Sequence, residues 1–177
     1  MALPDEGDWL DVDDLNTTNM NARLRDVLAF LMDRPIFRGR QTVAQTLTTA
    51  TFAAVTMTAE DVDTHGGHST SSNTSRYVAP EDGWYECSGG VGFASNATGF
   101  RACEWRKNGT ALAGSDARAP AVAAGSSSSV AARTILVSLS AGDYVELFAF
   151  QNSGGDLGTS VVADVESAVN VEWVRRL

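Results

Sequence analysis

Both histidines of the chain fall in one short stretch, "DTHGGHSTSSNTSR" (residues 63–76), with Asp63 beside them and Gly66-Gly67 between them. A carboxylate and two imidazoles this close together are the raw material of a metal or general-base site. A structural zinc needs four ligands, however, and a catalytic zinc needs three plus a water. His65 and His68 are separated by flexible glycines, and only Asp63 is near enough to join them, so ligand count and preorganisation both fall short. The stretch therefore reads as a polar turn, with glycine supplying positive φ and Ser, Thr and Asn side chains bonding the local backbone. No metal or cofactor is expected.

Other chemistries are no better supplied. The chain has many serines but no G-x-S-x-G elbow, and its only histidine bases are those of the same loop. The glycines of "CSGGVGF" (residues 87–93) match neither a phosphate loop nor a dinucleotide fingerprint. They read as a bulge or a close contact between strands. Cys87 and Cys103 fall on core-facing positions and read as buried thiols, which a disulfide could join only if their strands are neighbours. The expectation is a protein that is not an enzyme, with no catalytic, cofactor-binding or metal residues.

Composition bounds the rest. The 177 residues are 44% hydrophobic, enough for one core. A formal net charge of −9 argues against nucleic acid or an anionic membrane as partner, since both select for a basic face. No apolar run approaches the roughly 20 residues that span a bilayer. The opening "MALPDEGDWLDVDD" is acidic where a signal peptide is basic and then apolar, so synthesis in the cytosol is expected.

The elements that must position these residues change character near Pro35. Residues 1–35 read as an acidic arm and a helix, "DVDDLNTTNMNARLRDVLAFLMDRP". Asp11 can cap it, and Asp13 and Asp14 suit the positive end of the helix dipole. Met20, Leu24, Val27, Leu28 and Leu31 form an apolar stripe, and the residue before Pro35 resists helical geometry. Thr17, Met20, Leu24, Val27 and Leu31 also follow the 3-4 spacing of a coiled-coil seam, although a helix this short barely holds alone in water. The stripe packs either on its own domain or on copies or a larger partner, with Trp9 and Leu10 extending the contact. Trp9, Leu10, Met20, Leu24, Val27 and Leu31 are accordingly the candidate partner-binding residues.

Residues 36–177 read as β. "VAQTLTTATFAAVTM" is rich in β-branched residues. In "GWYECSGGVGF" Tyr85, Cys87, Val91 and Phe93 alternate onto one face. Cys103 and Trp105 do so in "FRACEWRKNG", where Asn108-Gly109 makes a tight turn. "SSVAARTILVSLSAGDYVELFAFQNSGG" reads as two strands joined at "SAGD". The first points Ile135, Val137 and Leu139 one way, and the second carries Tyr144, Phe148 and Phe150. "VNVEWVRRL" places Val169, Val171 and Trp173 on one face. "GSDARAPAVAAGSSSSV" has no period and reads as a long exposed loop. Six to ten short strands with no helix between them predict an antiparallel sandwich or barrel.

"RYVAPEDGWYECSGGVGF", then "WRKNG", then "LSAGDYVELFAF" resemble the trimeric jelly-roll domain of complement globular heads and the tumour-necrosis-factor superfamily. The matching positions are Ala79, Pro80, Gly83 and Tyr85; Asn108 and Gly109; and Leu139, Gly142, Asp143, Val145 and Leu147. The helix segment together with "HSTSSNTSRYVAPEDGWYECSGGVGFASNATGFRACEWRKNG" and "GDYVELFAFQNSGG" is also similar to small virion proteins of tailed bacteriophages of actinobacteria. These resemblances imply a mainly β fold, an antiparallel jelly-roll sandwich with one N-terminal α-helix, trimeric, with residues 1–35 as anchor and 36–177 as the jelly roll. They imply a virion structural protein that decorates the capsid. The alternative is a minor tail protein or tail-tip module that binds a host surface glycan or protein through exposed loops. The implied partners are copies of itself and the phage major capsid protein or tail proteins. The compact, shaftless chain favours decoration of the head.

Overall fold

The computed structural model describes residues 17–123 and 125–177. Trp9 and Leu10, and the expected capping residues Asp11, Asp13 and Asp14, lie outside the described residues. The chain parts into two compact units between Arg34 and Pro35.

The first unit contains helix α1 (Thr17–Met32). Its end is closed by the Asp33 N–H, which donates to the carbonyls of Ala29 (3.0 Å) and Phe30 (3.2 Å), ahead of the proline that cannot continue the ladder. Met20 is helical, as expected. Within the apolar stripe Leu24, Leu28 and Leu31 are 49%, 57% and 51% exposed, and Val27 is half-buried. Among the helix residues whose burial is described, 24–32, the buried one is Phe30, which the stripe omitted.

The second unit is built from β1 (Ile36–Arg40), β2 (Thr46–Leu47), β3 (Ala53–Ala54), β4 (Ala59–Asp63), β5 (Arg76–Val78), β6 (Gly83–Phe93), β7 (Phe100–Lys107), β8 (Thr110–Ala111), β9 (Ala117–Pro120), β10 (Ser128–Ala131), β11 (Ile135–Leu139), β12 (Tyr144–Gln151), β13 (Leu157–Gly158) and β14 (Ala168–Arg175). One sheet runs β10-β6-β14-β1-β4, with β11 also pairing β6. The other runs β3-β12-β7-β8, with β5 on β12 and β9 on β7, and a β13-β2 ribbon stands apart. The pairings within both sheets are antiparallel.

Alternation on the long strands builds the core. Tyr85, Cys87, Val91 and Phe93 of β6, Cys103 and Trp105 of β7, Val137 and Leu139 of β11, and Val169, Val171 and Trp173 of β14 are buried. Each fully buried large side chain contributes roughly 1.5–3 kcal/mol. The polar tips are satisfied: Trp105 Nε1 donates to the Arg133 carbonyl (2.8 Å), and the Tyr85 hydroxyl to that of Glu81 (2.7 Å). The glycines of β6 mark a close approach, since a Cβ at Gly92 would overlap the Val165 carbonyl and one at Gly89 that of Ala168. Asn108 and Gly109 both take positive φ (50° and 79°), the geometry of a two-residue hairpin turn.

Three expectations need correction. The described residues form fourteen strands rather than six to ten, because several are two-residue pairings without a pattern of their own. "VAQTLTTATFAAVTM" is mostly irregular, with only β2 and β3 inside it. There the Gln45 amide takes up backbone groups in place of a ladder, donating to the Ala54 carbonyl (2.8 Å) and accepting from the Thr56 N–H (3.1 Å). "GSDARAPAVAAGSSSSV" contains β9 and the start of β10, which pair with β7 and β6 without a hydrophobic period of their own.

Candidate functional site

The histidine loop is more ordered than a solvated turn. Asp63, the last residue of β4, accepts from the Gly67 N–H (3.1 Å) and the His68 N–H (2.8 Å), so its carboxylate closes the loop's own backbone. His68 turns inward, with its side chain 1% exposed. Its Nδ1 lies 2.7 Å from Glu60 Oε1 and its Nε2 lies 3.0 Å from the Thr74 carbonyl. The ring stacks on Phe37 (centroids 4.8 Å apart), which in turn stacks on Tyr77 (5.2 Å).

His65 instead pairs its Nδ1 with the neighbouring Thr64 hydroxyl (2.9 Å). The two histidines therefore do not converge. Among the described residues, no three His, Cys, Asp or Glu side chains form a group able to hold a metal ion. The sequence reading missed the burial of His68, because Phe37 and Glu60 reach it only through the β1–β4 pairing. Beside the loop lies a cleft of about 200 Å³, lined by Gly67, Ser69, Ser72, Asn73, Arg76 and Val78 among others.

A second surface is apolar. On the outward side of the β6 sheet, Trp84, Leu136 and Val174 border an open cleft of about 320 Å³ together with Arg175. Leu136 is 60% and Val174 47% exposed. Val174 owes its place to a register shift between Trp173 and Arg175, an extra residue that re-aims a side chain. The same side carries Glu86 directly opposite Leu136 and Glu172. Neither the cleft nor Trp84 was among the sequence-derived site residues. The alternation of β6 carries the signal, because a tryptophan between core positions 83 and 85 must face outward.

The outward side of the other sheet is aromatic but self-covered. On β12 the core face is Val145, Leu147 and Ala149, while Tyr144, Phe148 and Phe150 point away from it. Arg106 lies over Phe148 (3.9 Å) and Arg76 over Tyr144 (4.1 Å), and Phe150 packs against Phe52 and Phe100. At the turn before β12, Asp143 accepts from Lys107 (2.8 Å), from Asn108 Nδ2 (2.8 Å) and from the Ser140 N–H (2.9 Å). These bonds, Lys107 foremost, hold its carboxyl well below the usual carboxylate range.

Cys87 and Cys103 are free and buried. Burial pushes both thiols up to about 12, which removes them as nucleophiles near neutral pH. No helix among the described residues is long and apolar enough to cross a membrane.

No family model and no curated protein matches the sequence. Solved structures do match the fold. The globular domain of zebrafish complement 1qA protein superposes with a TM-score of 0.59 at 14% identity, covering 81% of this chain and 100% of that one. The Eiger tumour necrosis factor of S. frugiperda gives 0.58 at 12% identity, over 81% and 96%. Murine APRIL gives 0.57 at 11% identity, over 78% and 98%. With antiparallel sheets and one short helix among its described residues, the chain has the jelly-roll fold of the complement-head and tumour-necrosis-factor type.

Proposed function

We propose that the protein is a non-enzymatic structural protein that works as a homotrimer on the surface of a phage particle, where it decorates and stabilises the capsid. The observation that carries self-association is the exposed apolar cleft of Trp84, Leu136 and Val174. An apolar group that gains nothing from solvent gains from a second copy. The exposed stripe of Leu24, Leu28 and Leu31 on α1 adds a second surface of the same kind, at the spacing of a helix seam. The phage setting is supported by the sequence likeness to small virion proteins, which runs from the helix segment through "GDYVELFAFQNSGG". Its partners would be its own copies and the major capsid protein.

Sedimentation of the purified protein tests the assembly, with a mass of three chains expected. Leu136→Asp places a charge on the apolar patch, so it should shift the mass toward one chain while circular dichroism stays that of the folded protein. A Leu136→Asp protein that remains a trimer would overturn the patch as the interface. Leu24→Glu with Leu31→Glu should leave the jelly roll folded yet absent from purified particles; incorporation at the normal level would refute the anchor.

A second reading, a minor tail protein that binds a host surface through its loops, is favoured by the cleft in the 64–75 loop. Purified protein that adsorbs to host cells and competes with phage would support it.

A further inference from the structure

The cleft beside the histidine loop has an unusual balance of groups. Ser69 Oγ accepts the Ser71 and Ser72 N–H groups (3.3 and 3.2 Å), which fixes the turn. Asn73 sits at φ 49°, its carbonyl accepting the Arg76 N–H (2.9 Å), while its amide has no hydrogen-bond partner among the described residues. Arg76 lies over Tyr144 and places Nε 3.4 Å from Glu146 Oε1. Its two terminal nitrogens have no hydrogen-bond partner among the described residues, and its side chain is 37% exposed. Val78, at 38% exposed, supplies the one apolar surface.

These groups select a ligand class. A metal cation would find no carboxylate in the lining. An anion would gain little, because Glu146 already offsets Arg76 and both Glu60 and Asp63 stand behind the loop. A flat base would find no open ring to stack on, since Arg76 covers Tyr144. What fits is neutral, rich in hydroxyls and bounded by a C–H face. We infer that the cleft binds one ring of a neutral saccharide. Asn73 and Ser72 bond its hydroxyls, the free Arg76 nitrogens donate to its oxygens, and Val78 meets its C–H face.

The inference deepens the host-binding reading and rests on it for biological meaning, although the cleft's chemistry can be tested alone. The full-length protein is titrated separately with D-glucose, D-galactose, D-mannose and N-acetyl-D-glucosamine, followed by saturation-transfer difference NMR. D-glucuronate and inorganic phosphate serve as charged comparators. At least one neutral sugar should saturate with a Kd of roughly 1–10 mM, the range for a few exposed hydrogen bonds. The Ser72→Ala, Asn73→Gly double variant should weaken it about tenfold, with an unchanged melting curve because both residues are exposed and glycine keeps the positive φ of position 73. Saturation by none of the four sugars, binding only of the charged comparators, or full affinity in the double variant would each overturn the inference. Protein that competes for host cells yet binds no sugar would remove the saccharide and leave the host-binding reading standing.

Discussion

Replacing His68 with alanine should destabilise the jelly roll by about 3–5 kcal/mol, and the size follows from three contacts. The bond to Glu60 has a charged partner and is worth about 1.5–3 kcal/mol, and that to the Thr74 carbonyl about 1. The stacking on Phe37 adds about 0.5–1.5 kcal/mol. Glu60 is 34% exposed, so water reaches the carboxylate once the ring is gone, which lowers the total from its upper end. Urea unfolding at one fixed protein concentration measures the effect, and fixing the concentration matters because assembly adds to apparent stability. His65→Ala is the internal control, expected within about 0.5 kcal/mol of the parent. A cycle with Glu60→Gln should return a coupling energy of about 1 kcal/mol or more. If His68→Ala and His65→Ala cost the same, His68 is not a buried pin and the reasoning fails.

Other outcomes follow from the same geometry. Asp143 has a depressed carboxyl, so its contribution is complete above the unfolded value of about 4 and is lost as pH falls through the lower folded value. Asp143→Asn should therefore flatten the acid limb of a stability–pH curve, and an unchanged limb would count against it. A thiol reagent at pH 8 should label neither Cys87 nor Cys103 in the folded protein and both in denaturant. Rapid native labelling would show that the inter-sheet core opens. Gly92→Ala should cost about 1–3 kcal/mol or more through overlap with the Val165 carbonyl, read by melting temperature. Stability equal to the parent would show that the 159–167 segment moves freely aside.

The strands that carry the core were legible because their alternation is strict: Tyr85, Cys87, Val91 and Phe93 on β6, and Cys103 and Trp105 on β7, are all buried. The Asn108-Gly109 turn was equally plain, because few residue pairs accept positive φ twice. Where side chains rather than ladders hold the backbone, as at Gln45, the sequence offered β-branched composition and the structure made loop. The aromatic side of β12 illustrates a second limit. Tyr144, Phe148 and Phe150 are its largest residues, yet the smaller Val145, Leu147 and Ala149 face the core. Arginines on neighbouring strands make the outward position tolerable for rings, and no local pattern records that cover. His68 escaped for the same reason, since its partners Phe37 and Glu60 arrive from other strands.

The alternation of β6 has a consequence for quality control. Trp84 faces outward and Tyr85 inward, while β11, β10 and β14 all take their register from this one strand. A slip of one residue would drive Trp84, Glu86 and Ser88 into the core and turn Tyr85 and Cys87 out. The same error would take Trp84 out of the patch it forms with Leu136 and Val174. Under the proposed assembly, a chain that folds in the wrong register therefore also presents an altered face to its neighbours. The strand that organises the interior thus acts as the molecule's own admission test.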